Sequence, residues 1–348
     1  MLTNTRVAWF NGTIMPEGQI MIPYRDRSWK SGDGVFDMTR TFNGAIFRLK
    51  EHIDRFYRSL RYVQIDPGLS PQEMIAVSQE VVARNEHLRG PHGDWWVCQR
   101  VSRGVDAVGD EGWEHTGPNV VVDVTPLPLA SRATQYRDGA EVMTTTMRRT
   151  APSMLSPRAK MNNYLNMIVA GQPIKAARPN PWPLLLDENG NLAEGSGSNI
   201  FIVQDEALRT PRERYVLPGV SRQMTMDLAA ELGIPCTEAD IDLFDAANAD
   251  ENVPDRHQFM HPAGKLLQWG TGWCASLDWR RTGNATPDPR LRGRGRVRLC
   301  PTAPGPHSDL TSPQAPLSPT RRGTSRRPPD PRSTEAVPME RGASCRVL

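Results

Sequence analysis

The sequence contains no apolar run that approaches the roughly 18 residues of a membrane-spanning helix, and no signal peptide precedes Trp9. Cysteine is also scarce, and no two cysteines form a CxxC pair or a spacing typical of metal ligands. The five are Cys98, Cys236, Cys274, Cys300 and Cys345. We therefore expect a soluble cytoplasmic protein in a reducing compartment, with no disulfide framework, no bound metal and no membrane contact.

Charge is distributed unevenly along the chain. Residues 251–348 hold 16 of the 42 Lys and Arg, only 8 of the 39 Asp and Glu, and 14 of the 31 prolines. Residues 1–250 therefore carry 26 basic and 31 acidic side chains, a net charge of −5, whereas the remainder carries +8. An acidic body of this kind argues against nucleic acid as the main partner.

Local patterns predict both helices and hairpins. "VAWFNGTIM" and "TRTFNGAIFRL" place Asn-Gly between β-forming residues, and "LLLDENGNLAEG" predicts a hairpin that turns at Asn189-Gly190. "FRLKEHIDRFYRSLRYV" has apolar residues at spacings of three and four, which indicates an amphipathic helix. Ser70 and Glu73 predict a capping box at the start of "SPQEMIAVSQEVVARN".

Further along, "WWVCQRVSRG", "NVVVDVT" and "EVMTTTMRR" predict strands. "KMNNYLNMIVAG" predicts a helix that begins at Lys160 and ends at Gly171, and "LPGVSRQMTMDLAAELG" predicts one that ends at Gly233. This mixture indicates an α+β fold. We divide the chain into a small α+β domain (1–125), a polar linker (126–139), a large domain (140–251) and a tail (252–348).

Four side chains could together hold one cofactor, although each alone is weak evidence. A helix that starts near Ser221, after Gly219, presents free N–H groups to a phosphate, and Arg55 could supply a cation. Lys160 offers an amine, and Glu194 is a carboxylate followed by small residues. A lysine, a carboxylate and an anion site are what pyridoxal 5'-phosphate (PLP) requires. Taken singly, however, these residues are more typical of solvated surface charges and turns.

The order of five motifs resembles the class IV (fold-type IV) aminotransferases, in particular the branched-chain enzymes. The motifs are "RDRSWKSGDGVFDMTRTFNGAIFRLKEHIDRF", "VSRG", "KMNNYLN", "LLLDENGNLAEGSGSNIFIV" and "LPGVSR". The resemblance runs from about residue 7 to residue 251. It implies a two-domain, PLP-dependent homodimer, in which residues 140–251 form most of the PLP-binding domain.

The resemblance also implies roles for individual residues around the cofactor. Lys160 in "KMNNYL" resembles the lysine that forms the Schiff base and shuttles the proton. Glu194 in "AEGSGSN" resembles the partner of the pyridine nitrogen, Arg55 in "HIDRF" the phosphate-binding arginine, and Tyr164 the residue near the 3-oxygen.

Other matched positions concern the phosphate and the substrate. Val220 and Ser221 resemble the phosphate-binding pair at a helix start. Phe36 and Arg40 in "GVFDMTR" lie on the strand that lines the substrate pocket. Cys98 stands where many branched-chain enzymes place an arginine, so the resemblance does not decide the identity of the substrate.

The activity that this resemblance implies is ping-pong transamination between an amino acid and a 2-oxo acid, with a branched-chain L-amino acid favoured. An (R)-selective amine transaminase, a D-amino-acid transaminase and an aminodeoxychorismate lyase are alternatives within the family. An alternative of another kind is an inactive relative, because the family's next segment, a strand of the form F-L-T-x-T that serves the phosphate and the substrate carboxylate, is absent.

We hypothesise that a frameshift near codons 251–252 accounts for that absence. Codons that encode "NVPDRHQFMHPAGKLLQWG" can be chosen so that the same bases, read one position later, encode TFLTATSLCILPASFFNG. On this hypothesis the tail is out-of-frame translation of GC-rich DNA, which also explains its Arg, Pro and Gly content. The alternatives are a genuine disordered tail and a basic segment, "RLRGRGRVR", that binds a polyanion. An unbroken reading frame in the transcript, together with a matching intact mass, would exclude the frameshift.

Overall fold

The Asn-Gly pairs fold neighbouring strands into hairpins, as predicted. Asn11 and Gly12 adopt positive φ angles of 44° and 96° between Val7–Phe10 (β1) and Thr13–Pro16 (β2). The pair Asn43-Gly44 does the same at the next hairpin. Two positive φ angles give the turn the twist of the strands that it joins.

The computed structural model describes residues 5–105, 117–130, 140–177, 181–255 and 264–267. Six strands of the N-terminal part form one antiparallel sheet in the order β2-β1-β6-β5-β3-β4. Besides β1 and β2, they are Gly34–Phe42 (β3), Ala45–Ile46 (β4), Trp95–Ser102 (β5) and Asn119–Pro126 (β6).

Two helices cover one face of this sheet, Leu49–Val63 (α2) and Pro71–Asn85 (α3), after the short helix Arg27–Ser31 (α1). The predicted apolar stripe of α2 is buried in the core between helices and sheet. The capping box of α3 is also confirmed, because Ser70 N donates to Glu73 Oε2 (2.7 Å) and Glu73 N to Ser70 Oγ (3.2 Å).

Alternation along β3 separates two kinds of surface. Val35, Asp37 and Thr39 are fully buried towards the helices, whereas Phe36 and Met38 are half-buried on the opposite face. We call this six-stranded sheet the small sheet, because it belongs to the predicted small domain. The strand β3 therefore supplies both the core of the small sheet and the wall of a cavity on its other side.

The C-terminal part contains two four-stranded sheets, in the orders β14-β7-β8-β9 and β12-β11-β10-β13. The strands of the first are Ala140–Thr144 (β7), Trp182–Leu186 (β8), Leu192–Gly195 (β9) and Gly264–Leu267 (β14). Those of the second are Asn199–Gln204 (β10), Ala207–Pro211 (β11), Cys236–Ala239 (β12) and Glu251–Asp255 (β13). The helices are Leu165–Ala177 (α4), Val220–Glu231 (α5) and Leu243–Asn248 (α6). Short 3₁₀ turns lie at Glu17–Gln19, Glu86–Leu88 and Glu213–Tyr215.

The helix predicted from Lys160 to Gly171 was wrong at both ends. Lys160 lies in an extended segment, because its carbonyl accepts from Phe36 N (3.0 Å) and Asn162 N donates to Gly34 O (2.9 Å). Pairing with β3 thus overrides the local helical pattern, and α4 begins only at Leu165. Gly171 does not end α4; a Cβ there would lie 3.4 Å from Pro183, so this glycine allows α4 and β8 to pack closely.

The strand predicted from "EVMTTTMRR" is also too long, since β7 ends at Thr144. Beyond it Thr145 Oγ1 donates to Met147 O (2.7 Å), which closes a turn. The α+β class is confirmed. The predicted linker after residue 130, and the tail apart from 252–255 and 264–267, lie outside the described residues. Within the described ranges, no helix has the length and apolar character needed to cross a bilayer.

Candidate active site

A cavity of about 210 Å³ brings together most of the side chains that the sequence predicted to be functional. The outer face of β3, the segment before α4, the turn from β9 to β10 and the start of α5 contribute to its wall. The predicted residues in the wall are Phe36, Arg55, Lys160, Tyr164, Glu194 and Ser221. These residues come from five separate stretches of the sequence, so their convergence is a property of the fold.

Backbone contacts on both sides fix the position of Lys160. Its N–H donates to Ser59 Oγ on α2 (3.0 Å), and its carbonyl accepts from Phe36 N on β3. The Lys160 Nζ atom donates to Tyr164 Oη (3.0 Å) and lies 4.4 Å from the centroid of the Phe36 ring. The amine is therefore held against two aromatic rings, where a positioned proton donor or acceptor can act.

Arg55 is the buried cation of the cavity. Its guanidinium donates from Nε to Asp37 Oδ2 (2.8 Å) and from Nη2 to Asp37 Oδ1 (2.7 Å), a two-point contact. Nη1 donates to Pro218 O, just before α5 (3.3 Å). Burial opposes the charge of Arg55, but Asp37 outweighs burial and holds the pKa of Arg55 above its usual value.

Asp37 connects Arg55 to the core of the N-terminal part. Asp37 Oδ1 also lies 2.7 Å from His52 Nδ1, and both side chains are fully buried. Burial would raise the pKa of Asp37, yet Arg55 and His52 hold it well below its usual value. Burial keeps the pKa of His52 below its usual value despite Asp37, so a neutral His52 donates its Nδ1 proton to the carboxylate.

The Glu194 carboxylate is oriented by two donors. Arg149 Nε donates to Oε1 (2.8 Å), and Leu217 N donates to Oε2 (2.9 Å). Glu194 is only 3% exposed and lies at the end of β9. With an arginine and a backbone amide fixing both oxygens, it can serve as a stationary acceptor for a cationic ring nitrogen.

The start of α5 forms a close-fitting backbone cradle. Gly219 is the N-cap, and it offers no side-chain cap to the first turn. A Cβ on Gly219 would collide with Asn199 Oδ1, so only glycine fits between Asn199 and the helix. Asn199 Nδ2 donates to Leu217 O (2.9 Å), which fixes the loop that enters the helix. The helix α5 is 12 residues long, and its N-terminus beside Arg55 suits an anion such as phosphate.

Two predicted residues do not line this cavity. Val220 is buried at the start of α5 and faces a neighbouring, more charged cavity. Arg40 is buried as well, but its Nη2 donates to Asp94 Oδ2 (3.2 Å), its Nε donates to Thr41 O (2.9 Å), and its guanidinium lies 3.9 Å from the centroid of the Phe42 ring.

Asp123 is a further acid on the outer face of the small sheet, directly opposite Cys98 in the strand register. Burial raises its pKa to about 6, although Arg100 opposes this effect. The unfolded chain has an ordinary carboxyl with a pKa of about 3.8. The folded state therefore holds the proton more tightly, and the stability linked to it is lost as pH rises from about 4 through about 6.

Asp123→Asn should consequently stabilise the protein at pH 8, by about 1–3 kcal/mol, and should give no such gain at pH 4. Urea unfolding at both pH values measures the difference. Glu231→Gln is the matched control, because Glu231 is exposed at the end of α5 and should change stability little at either pH. Equal effects of Asp123→Asn at the two pH values would contradict the linkage.

Several residues of the site were missed in the sequence. Asp37 could have been suspected, because an acidic residue inside the buried strand "GVFDMTR" requires a partner. Arg149, Asn199 and Leu217 gave no comparable signal. Their contributions depend on which loops meet, and Leu217 acts through its backbone amide rather than its side chain.

Comparison with known proteins places this geometry in one family. Residues 34–253 match the family described as amino-transferase class IV. A Methanocaldococcus jannaschii protein, whose name is that of a branched-chain-amino-acid aminotransferase, is 34% identical over 244 residues, which cover 70% of this chain and 81% of that protein. The D-alanine aminotransferase of Listeria monocytogenes serotype 1/2a is 30% identical over 251 residues, 69% of this chain and 80% of that one.

Solved structures agree with the sequence matches. A T.th. branched-chain amino acid aminotransferase, solved with 4-methylvaleric acid and with N-(5'-phosphopyridoxyl)-L-glutamate, is 25% identical with a TM-score of 0.67. The match covers 76% of this chain and 86% of that one. The fold-type IV prediction is thereby confirmed, and the chain belongs to the class IV aminotransferases, a family of PLP enzymes.

Proposed function

We propose that this protein is a PLP-dependent transaminase that moves the amino group of a branched-chain L-amino acid to a 2-oxo acid. The convergence of Lys160, Glu194, Arg55 and the α5 start on one cavity supports this proposal most strongly. A lysine amine, a fixed carboxylate and a cationic anion site are the three features that PLP requires of a protein. The cavity supplies each of them from a different element.

In this proposal each residue has one task. Arg55 and the backbone amides of Val220 and Ser221 hold the phosphate, and Glu194 accepts a hydrogen bond from the ring nitrogen. Bound PLP supplies an electron sink for the substrate carbon. Lys160, neutral when it acts as the base, moves the proton at that carbon, and Tyr164 holds the Lys160 amine by a 3.0 Å hydrogen bond.

The small-sheet wall of the cavity favours an apolar substrate side chain. Phe36 and Met38 on β3 and Trp96 on β5 face the cavity, and all three are half-buried. An isobutyl or isopropyl group would bury its surface there at a gain of roughly 0.8 kcal/mol per CH₂. The D-amino-acid, (R)-amine and lyase alternatives would use the same cofactor residues.

We further propose a cytoplasmic homodimer. Both cysteines among the described residues, Cys98 and Cys236, are free thiols, as in a reducing compartment. Met21, Tyr24 and Trp29 are 79%, 69% and 78% exposed within nine residues. Large apolar side chains that are exposed this close together along the chain are typical of a surface that a second protein covers.

The frameshift hypothesis bears on whether the 348-residue chain is active. The family match ends at residue 253, close to the proposed coding boundary at codons 251–252. If the family's next strand is encoded one base out of step, the chain as translated loses part of the phosphate and carboxylate site. This supports the inactive-relative alternative for the literal chain.

One experiment separates these proposals. The 348-residue chain and a second chain with the frame restored after residue 251 are assayed with PLP, 2-oxoglutarate and a panel of L-amino acids, D-amino acids and (R)-amines. We expect L-leucine, L-isoleucine and L-valine to react best, in a particle of twice the chain mass. Activity in the restored chain alone would support the frameshift. Inactivity of both chains towards every donor would refute the transaminase assignment, and a preference for D-amino acids or amines would refute the substrate.

A further inference from the structure

We infer that Arg100, rather than the predicted Arg40, is the specificity-determining cation that binds a carboxylate of the substrate. The inference rests on the proposed function, since it assigns one group of that substrate to one side chain. It follows from where the two arginines lie on the same face of the small sheet and from what each already contacts.

Both arginines belong to the face that carries Phe36. Along β3, residues 36, 38 and 40 point to one side, and β5 places Arg100 opposite Phe36 and Trp96 opposite Arg40 in the strand register. Phe36 and Trp96 both line the cavity. Arg40 and Arg100 are therefore the two cations that β3 and β5 could present to a substrate.

The existing contacts of Arg40 occupy its guanidinium. It is 5% exposed and bound to Asp94 and Thr41 O, while its planar group lies over the Phe42 ring. To bind a substrate, Arg40 would have to abandon a buried ion pair and leave Asp94 uncompensated, which is strongly unfavourable.

Arg100 is in the opposite situation. Its side chain is exposed, and among the described residues it makes neither a hydrogen bond nor an ion pair. Its one close ring contact is with Phe36, whose centroid is 5.2 Å from the Arg100 Cζ atom. A cation that touches a cavity-lining ring and has all five N–H donors available is suited to bidentate capture of a carboxylate.

The distance to the reacting lysine fits an amino acid. Lys160 Nζ lies 4.4 Å from the same Phe36 centroid, so the amine and the Arg100 guanidinium are less than about 10 Å apart. A base must come within about 3 Å of the proton that it moves. A separation up to this limit can be spanned by the substrate carbon, its carboxylate and one N–H···O bond, whereas an amine without a carboxylate would leave Arg100 unused.

Asp123 tunes this cation. It lies diagonally across β5 and β6 from Arg100, close enough for the two charges to interact without a hydrogen bond between them. The negative charge of Asp123 partly offsets the positive charge of Arg100, which weakens the attraction of Arg100 for a carboxylate ligand. Asp123→Asn is therefore expected to tighten carboxylate binding, in the opposite direction to loss of Arg100.

The test measures equilibrium binding of 4-methylvalerate, of its neutral isostere 4-methylvaleramide and of glutarate by calorimetry, in whichever of the 348-residue and frame-restored chains binds PLP. Arg100→Gln should weaken 4-methylvalerate about 10- to 100-fold, the usual effect of losing a hydrogen bond to a charged group. Arg100→Gln should leave the affinity for 4-methylvaleramide unchanged, and Arg100→Lys should retain part of the affinity for 4-methylvalerate. If Arg100→Gln lowers the affinity for glutarate alone, Arg100 binds the side-chain carboxylate of a dicarboxylic substrate instead of the α-carboxylate.

Arg61→Gln is the control, because Arg61 is an exposed arginine on α2, in the helix layer behind the small sheet. The inference is overturned if Arg100→Gln binds both acids as tightly as the unmodified protein. It is also overturned if the unmodified protein binds acid and amide alike, or if Arg61→Gln has the same effect. Borohydride labelling of Lys160 in the same samples tests the proposed function separately, since labelling does not depend on Arg100.

Discussion

Replacing Lys160 by alanine should abolish borohydride-stable attachment of PLP and lower the transamination rate by at least about 10²–10⁴-fold, the contribution of a positioned general base. The expectation follows from the place of the Nζ atom, which is held by Tyr164 Oη and lies over the Phe36 ring inside the cavity. The measurements, made on whichever of the 348-residue and frame-restored chains is active, are peptide mapping after reduction and the rate of keto-acid formation from L-leucine.

The chain is well suited to this test because it contains only five lysines, Lys30, Lys50, Lys160, Lys175 and Lys265. Lys50→Ala is the matched control, since Lys50 lies on the surface of α2 and pairs with Asp54. It should keep both label and rate. Label recovered on another lysine, or a Lys160→Ala rate within tenfold of the unmodified protein, would show that the amine has been misassigned.

Asp37→Asn should lower the free energy of unfolding of the cofactor-free protein by about 3–5 kcal/mol, the usual result of breaking a buried ion pair. Asparagine has nearly the same volume, so the loss reports on charge rather than on a cavity. Arg55 would remain buried with no anion against two of its donors. Because the same arginine is proposed to hold the phosphate, PLP affinity should fall as well, and fluorescence titration can measure it.

The pH dependence has a definite sign. The folded pKa of Asp37 lies far below that of an unfolded aspartate, so its contribution is present above about pH 4 and is lost as pH falls below that value. Asp37→Asn should therefore be closest to the unmodified protein in acid and furthest from it at neutral pH. Asp54→Asn, which alters an exposed pair on α2, the helix that carries Arg55, should lower the free energy of unfolding by less than about 1 kcal/mol at every pH. A comparable loss in both variants would argue against a special role for Asp37.

Short-range patterns in the sequence were sufficient for much of the N-terminal part. The turns at Asn11-Gly12 and Asn43-Gly44 and the capping box of Ser70 and Glu73 formed as expected. Each depends on a few neighbouring residues, whose φ preferences or side-chain hydrogen bonds act wherever the segment lies.

The segment around Lys160 shows where such patterns fail. Its residues would suit a helix, but β3 supplies backbone partners at Gly34 and Phe36. The extended form can make these two backbone hydrogen bonds, and the helical form cannot. The consequence is functional, because the extended segment brings the Lys160 amine against Phe36 and into one wall with Arg55 and Glu194.

The sequence by itself determined the turns, the amphipathic helices and the α+β class, because local propensity depends on neighbouring positions, and the resemblance of its motifs indicated six of the residues that line the cavity. Only the tertiary structure decided which groups are available. In the sequence, Arg40 and Arg100 are equally plausible substrate-binding residues, since each lies in a predicted strand. In the structure Asp94 pairs with Arg40, whereas Arg100 lies beside Phe36. Availability depends on which charges the fold places within hydrogen-bonding distance, and Asp94 is 54 residues from Arg40 along the chain.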